Sequence, residues 1–68
     1  MRVKKLIKRY KEEYIRLYYD DGRWIIKQIP KLEPQYLDAK VKSYWIGNMK
    51  QIGVEDKPIL CVQLKGVR

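Results

Sequence analysis

Six cations and no acid occur in the first eleven residues, and these side chains suggest binding chemistry most directly: Arg2, Lys4, Lys5, Lys8, Arg9 and Lys11. They account for +6 of the formal net charge of +8, because the remaining residues carry ten bases against eight acids. A block of cations attracts phosphate and carboxylate groups. We therefore expect these six residues to bind a nucleic acid or an acidic protein surface.

The apolar residues in and after this block follow the period of an α-helix. They occupy positions i, i+3, i+4, i+7, i+11 and i+14, and they are Val3, Leu6, Ile7, Tyr10, Tyr14 and Leu17. This spacing predicts an amphipathic helix over residues 2–13, with the cations on its exposed side. Two interpretations of that side stay open: a contact for an anionic partner, or a solvated basic face that keeps a small protein soluble.

A second group of candidate binding residues lies in the segment 14–29, which has the pattern of a β-hairpin. The Asp-Gly pair at 21–22, between two strand-like runs, is typical of a type I′ turn, in which both central residues take positive φ. A two-residue loop of this kind places Arg16 opposite Lys27. Two tyrosines share that face: Tyr14 and Tyr18. Cations beside aromatic rings suit a nucleic acid, with phosphate on the cations and bases stacked on the rings.

The register of this hairpin decides whether the patch exists. If the loop has three residues, with Gly22 in a bulge, the pairing slips by one residue and Arg16 faces Ile26. Lys27 then no longer lies opposite Arg16, and the argument for the patch is lost. The tyrosines also have an explanation without a partner, since tyrosine is a common strand residue.

The polar inventory argues against an enzyme. The chain has no histidine, one cysteine and four separated glycines. This composition excludes Ser–His and Cys–His nucleophilic pairs, zinc sites built on Cys and His, and a glycine-rich phosphate loop. The carboxylates come mostly as adjacent pairs, whose members point apart on a strand or in a turn. We therefore expect no catalytic residue, no metal site, no cofactor and no small-molecule substrate.

The remaining segments predict an α+β fold in which residues 1–68 form one small domain. Its parts are the basic helix (1–13), the hairpin (14–29), a connector (30–39) and antiparallel strands (40–65). Pro34 starts a short helical turn, Gly47-Asn48 fits a type II′ turn, and residues 59–65 form a central strand that is apolar on both faces. The predicted architecture is an N-terminal amphipathic helix on a curled antiparallel sheet of four to five strands, or on a small open barrel.

Two functions of different classes follow from these residues. The first is binding of DNA or RNA, mostly through backbone phosphates, because the helix has no Asn or Gln to read adenine. The second is a module that occupies and inhibits a host protein, since the chain resembles in style the small accessory proteins of phages and mobile elements. Its candidate contacts are of the types enriched at interface hot spots: Trp24, Trp45, Tyr18, Tyr44 and Arg16.

Location and assembly follow from weaker signals. We expect a cytoplasmic protein, because one free cysteine occurs without an export signal. A homodimer through an exposed sheet edge fits the pattern. Membrane-surface binding by residues 2–13 ranks last, because the apolar face of that segment has no Trp or Phe.

Overall fold

Short helices and strands alternate along the chain, whose computed structural model describes the backbone of residues 1–51 and 54–66 and the side chains of residues 1–48 and 57–66. The helical elements are α1 (Val3–Arg9), a 3-10 turn (Ile29–Lys31) and α2 (Pro34–Leu37). The strands are β1 (Tyr14–Tyr18), β2 (Trp24–Gln28), β3 (Val41–Gln51) and β4 (Val54–Leu64). In these two stretches of chain, no helix is long and apolar enough to cross a membrane.

The fold is a small α+β fold, as predicted, and its four strands form a mixed sheet in the order β2-β1-β4-β3. The outer pairs β1–β2 and β3–β4 are antiparallel, whereas β1 and β4 are parallel, with Ile15 beside Leu60 and Leu17 beside Val62. The prediction of a wholly antiparallel sheet is therefore wrong at its centre. The parallel strands β1 and β4 are the first and last strands of the chain. They are connected through β2, α2 and β3, which return the chain to the same starting edge of the sheet. The edge strands of the described sheet, β2 and β3, do not pair with each other, so this sheet is open.

Strand β4 is central, as its two apolar faces predicted, and the core forms around it. Its inward residues Leu60, Val62 and Leu64 are fully buried. They pack with the other buried residues of the main core: Ile15 and Leu17 of β1, Val3 and Leu6 of α1, and Leu32. Burying one such side chain stabilises the fold by about 1.5–3 kcal/mol. Helix α1 is therefore held on one face of the sheet by its apolar side.

Helix α1 has the predicted inward face but is shorter than the predicted range of 2–13. It spans seven residues, and Tyr10, which follows it, already has an extended backbone with φ −113° and ψ 99°. The helix ends there because the next apolar residues serve the core better as a strand. Alternation in β1 sends Ile15 and Leu17 to the core, while a helix would place them about 200° apart. At the other end, backbone bonds from Val3 N to the Ala39 carbonyl (3.1 Å) and from Val41 N to the Met1 carbonyl (2.9 Å) fix α1 to the start of β3.

The β1–β2 hairpin takes the three-residue loop, so the type I′ turn and its register are wrong. Tyr19 N donates to the Arg23 carbonyl at 2.8 Å, and within the described backbone only glycines, here Gly22 at φ +91°, have positive φ. Arg16 therefore pairs with Ile26 and not with Lys27. The physical reason lies in the turn: the Asp21 carboxylate accepts the Arg23 N–H at 3.0 Å, which closes a loop that needs one left-handed residue and not two.

The predicted turn at Gly47-Asn48 is also wrong, because β3 continues through it. Gly47 pairs with Ile59 and Asn48 with Pro58, so the Glu55–Pro58 segment, predicted to be a turn, belongs to β4. Of the weak strand predicted over 49–53, residues 49–51 belong to β3 and residues 52–53 lie outside the described chain. Gly47 lies close to the neighbouring strand: a Cβ at this position would lie 3.1 Å from the Cys61 Sγ, a tight contact.

The connector between β2 and β3 matches its prediction. Helix α2 starts at Pro34, and Tyr36 and Leu37 pack against the core. The Tyr36 hydroxyl lies 3.0 Å from that of Tyr19, and this hydrogen bond raises the pKa of Tyr19 above its usual value. The connector is thus fastened to the end of β1.

The turn predicts a specific cost for replacing its glycine. Gly22→Ala should lower the free energy of unfolding by about 1 kcal/mol, because an L-residue resists positive φ. No atom lies within 4 Å of the added Cβ, so the backbone alone causes the loss. Urea unfolding measures it, and Gly22→Asn is the control, since Asn tolerates this region better and should lose less. Equal losses in both variants would contradict a backbone origin.

The same turn predicts an acid-sensitive contribution to stability. The Arg23 backbone N–H and guanidinium hold the pKa of Asp21 below its ordinary value of 3.8. A carboxyl with a lowered folded pKa stabilises the fold above its unfolded pKa, and this stabilisation is lost as the pH falls through the folded value. Unfolding free energies measured down to pH 2 should therefore fall less in Asp21→Asn than in the parent protein. An identical pH dependence for the two proteins would refute this role of Asp21.

Candidate functional site

Two of the six predicted binding cations are engaged in the fold itself. Lys4 pairs with the Asp38 carboxylate at 3.3 Å, and the Arg2 guanidinium donates to the Asp38 carbonyl. Asp38 follows α2 directly, so both contacts tie the start of α1 to the end of α2. Arg2 and Lys4 thus link the two helices, and a role of theirs in binding a partner stays a prediction.

The other four cations of this block lie on the exposed side of α1 and just after it. Among the described side chains, none of the four is in an ion pair: Lys5, Lys8, Arg9 and Lys11. All four are exposed. Lys8 and Arg9 lie in the last turn of α1, where the helix dipole favours positive charge. We call these four residues the α1 cations.

The opposite face of the sheet carries the aromatic residues. We call it the outer face, because α1 and α2 pack on the other one. One row across the four strands runs Trp24, Tyr18, Gln63, Ser43. The next row runs Ile26, Arg16, Cys61, Trp45. Tyr14 and Gln28 form a pair beyond the second row.

Four of these side chains form a continuous contact chain, which we call the aromatic band: Trp24, Arg16, Tyr18 and Trp45. The Arg16 Cζ lies 4.8 Å from the centroid of the Trp24 ring, within the range of a cation–π contact. The Arg16 Nη1 donates to the Tyr18 hydroxyl at 3.3 Å. The Tyr18 and Trp45 ring centroids are 5.4 Å apart at an interplanar angle of 33°. The aromatic band thus reaches from β2 to β3.

The aromatic band is supported by buried residues on its side toward the sheet and is exposed on its side toward solvent. Ile59 and Cys61 form a small buried cluster under Tyr14 and Tyr18. The Gln63 amide donates to the Tyr18 and Tyr19 carbonyls at 3.3 Å each, which fixes the end of β1. In contrast, Trp24 is 52% exposed and Trp45 is 44% exposed. Large aromatic rings that stay this exposed on a supported sheet face are available for a partner.

Arg16 gives the outer face a positive charge. No side chain in the two rows or in the Tyr14–Gln28 pair is acidic, and Arg16 forms none of the ion pairs found between described side chains. Its Nε is buried without a hydrogen-bond partner. A cation in partly desolvated surroundings with only neutral neighbours exerts a strong local field. The outer face therefore favours an anionic ligand.

Lys27 does not belong to this site, and the predicted Arg16–Lys27 patch is wrong. Lys27 pairs with Ile15, so the register places it on the α2 side of the sheet. Its Nζ lies 2.6 Å from Glu33 Oε1 and 5.7 Å from the Tyr36 ring centroid. The hydrogen bond to Glu33 raises the pKa of Lys27, as expected for a structural ion pair.

The structure separates the predicted site residues into two groups. The α1 cations lie on the helical side of the sheet, and Tyr14, Arg16 and Tyr18 lie on the outer face. The sequence did not predict that Trp24 and Trp45 lie beside Arg16, although both were named as contacts for a protein.

The alternation of β3 correctly predicted that Trp45 and Tyr44 lie on opposite faces of the sheet. Tyr44 packs near Tyr10 on the helical side, with ring centroids 5.7 Å apart.

The closeness of Gly47 and Cys61 beneath the band predicts that substitutions at these two positions have non-additive effects on stability. Gly47→Ala should destabilise the protein by about 1 kcal/mol, because its Cβ would crowd the Cys61 Sγ. In the Cys61→Ala background this Sγ is absent, so the same substitution should cost clearly less. Urea unfolding of both single variants and the double variant measures the coupling. Additive losses would mean that crowding of the Cys61 Sγ is not the cause of the loss at Gly47.

Comparison with known proteins adds no assignment to this geometry. No known protein family, curated protein or solved structure matches this chain. The functional argument therefore rests on two surfaces, the α1 cations on one side of the sheet and the aromatic band on the other.

Proposed function

We propose that this chain is a non-enzymatic protein that binds nucleic acid, with the α1 cations contacting backbone phosphates. The observation that carries the proposal is the state of these cations: they are exposed and, among the described side chains, unpaired. A cation that forms no ion pair with the described side chains is available to an external anion.

The spacing of these cations supports a polyanionic partner. Lys5 and Lys8 are three residues apart and Lys5 and Arg9 are four apart, so they are neighbours on one surface of α1. Like charges at these spacings repel and destabilise an isolated helix. A ligand with several negative groups removes this repulsion at several positions at once. Release of counterions from the nucleic acid then drives binding.

The anchoring of α1 supports the same proposal. Val3 and Leu6 are buried in the core, and backbone bonds tie the helix start to β3. The cations therefore project from a fixed helix, and binding costs less ordering entropy than a flexible tail would lose. The sequence of α1, VKKLIKR, has no Asn or Gln. We therefore expect phosphate contacts with little sequence selectivity.

The salt dependence of binding tests this proposal. The parent protein should bind generic oligonucleotides with an affinity that falls steeply as salt rises. The test variant replaces three of the α1 cations together: Lys5→Gln, Lys8→Gln and Lys11→Gln. If each lysine contacts one phosphate, the slope of log K against log salt should become shallower by about 2–3. Fluorescence anisotropy across a salt series measures both quantities.

The control variant removes the same charge elsewhere. It replaces three exposed lysines that, like the α1 cations, are in no ion pair between described side chains: Lys31→Gln, Lys42→Gln and Lys65→Gln. A local contact predicts a much smaller change of slope in this variant. Equal changes in both variants would mean that only net charge matters. No binding of the parent protein at low salt would overturn the proposal.

A further inference from the structure

We propose that the aromatic band is a base-stacking surface and that the nucleic acid bound by this protein is single-stranded. The inference rests on the proposed function and names its substrate class. It comes from a different face of the molecule, so it can fail while phosphate binding by the α1 cations stands.

The first step is the form of the band. Its two tryptophans lie on the two edge strands and are about half exposed, while Arg16 and Tyr18 fill the space between them. The two indole rings do not stack on each other in this band: Trp24 contacts Arg16, and Trp45 contacts Tyr18. Each tryptophan therefore offers its own ring to a base.

The second step concerns which bases are accessible for stacking on such rings. In a duplex the bases stack on each other, and their flat faces are not accessible from outside. In a single strand those faces are free, and they stack on exposed aromatic side chains and on Arg guanidinium planes. A sheet face with two exposed indoles, a tyrosine and a guanidinium offers this kind of contact. The band therefore selects single strands.

The third step is charge. The described outer-face rows contain one cation, Arg16, and no acid, so the face complements an anionic ligand. The α1 cations lie on the other side of the sheet, whereas Arg16 lies within the band itself. Arg16 therefore supplies the local attraction. An apolar protein surface would leave this partly desolvated cation without a counter-charge, which disfavours it as the occupant.

The chain contains its own reporter for this face. Both of its tryptophans belong to the aromatic band. Intrinsic tryptophan fluorescence therefore reports on the outer face and not on α1. Stacking of a base on an indole quenches this fluorescence, whereas a phosphate contact on α1 does not bring a base to the indole.

The experiment titrates the parent protein with three probes of equal phosphate number at low salt. The first is an oligothymidylate of about 12 nucleotides, within the site sizes of small single-strand-binding domains. The second is an abasic strand of the same length, which keeps the phosphates and lacks the bases. The third is a duplex. Polyglutamate is a fourth probe, which stands for an acidic protein surface.

The inference predicts strong quenching by the oligothymidylate alone and an affinity for it at least tenfold above that for the abasic strand. Trp24→Leu and Trp45→Leu should each weaken oligothymidylate binding about tenfold. Tyr44→Leu is the matched control for stacking: Tyr44 is also an exposed aromatic residue of β3, but it lies on the helical side, and its loss should leave the tryptophan quenching by saturating oligothymidylate unchanged. Circular dichroism confirms that each variant is folded.

Several results would overturn the inference. If the abasic strand or the duplex binds as tightly as the oligothymidylate, bases do not contribute, and only the phosphate contact of the proposed function remains. If polyglutamate quenches as strongly as the oligothymidylate, the outer face accepts an acidic protein surface instead. If none of the probes binds, both this inference and the proposed function fail. The comparison among probes uses the parent protein and so does not depend on the folding of any variant.

Discussion

The burial of β4 on both of its faces is the constraint on which the rest of the structure depends. The last strand of the chain lies at the centre of the sheet, and residues 59–62 have almost no exposed surface. Leu60 and Val62 provide the surface on which α1 packs, while Ile59 and Cys61 support the aromatic rings of the outer face. Both candidate surfaces are therefore positioned by one strand, and neither exists until that strand lies between β1 and β3.

This arrangement gives the two surfaces different physical characters. The α1 cations are exposed point charges on a helix, so their attraction is long-ranged, sensitive to salt and weakly selective. The aromatic band combines partly buried rings with one guanidinium, so its contacts are short-ranged and depend on the shape of the ligand. In a chain with a net charge of +8, the first property favours encounter with a polyanion. The second decides which polyanion stays bound.

The parts of the fold that follow from local patterns could be predicted from the sequence, and those that depend on distant pairing could not. The inward face of α1 and the two apolar faces of β4 follow from residue spacing. The hairpin register depends on whether one or two loop residues take positive φ. In the observed register only Gly22 does so, and Lys27 therefore does not lie opposite Arg16. Gly47 has the signature of a turn, but it pairs with Ile59 inside β3 and lies close to Cys61. The contact between Tyr18 and Trp45 requires the parallel β1–β4 pair, which no local pattern predicts.

One measurement tests the central claim that this protein binds nucleic acid through two opposite faces. Amide and indole NMR spectra are recorded while a single-stranded oligonucleotide is added. The account predicts shifts in the indole N–H signals of Trp24 and Trp45 and in the backbone signals of the α1 cations, with the control residues Lys31 and Lys65 unchanged. Shifts confined to Lys31 and Lys65, or no shifts at low salt, would contradict it.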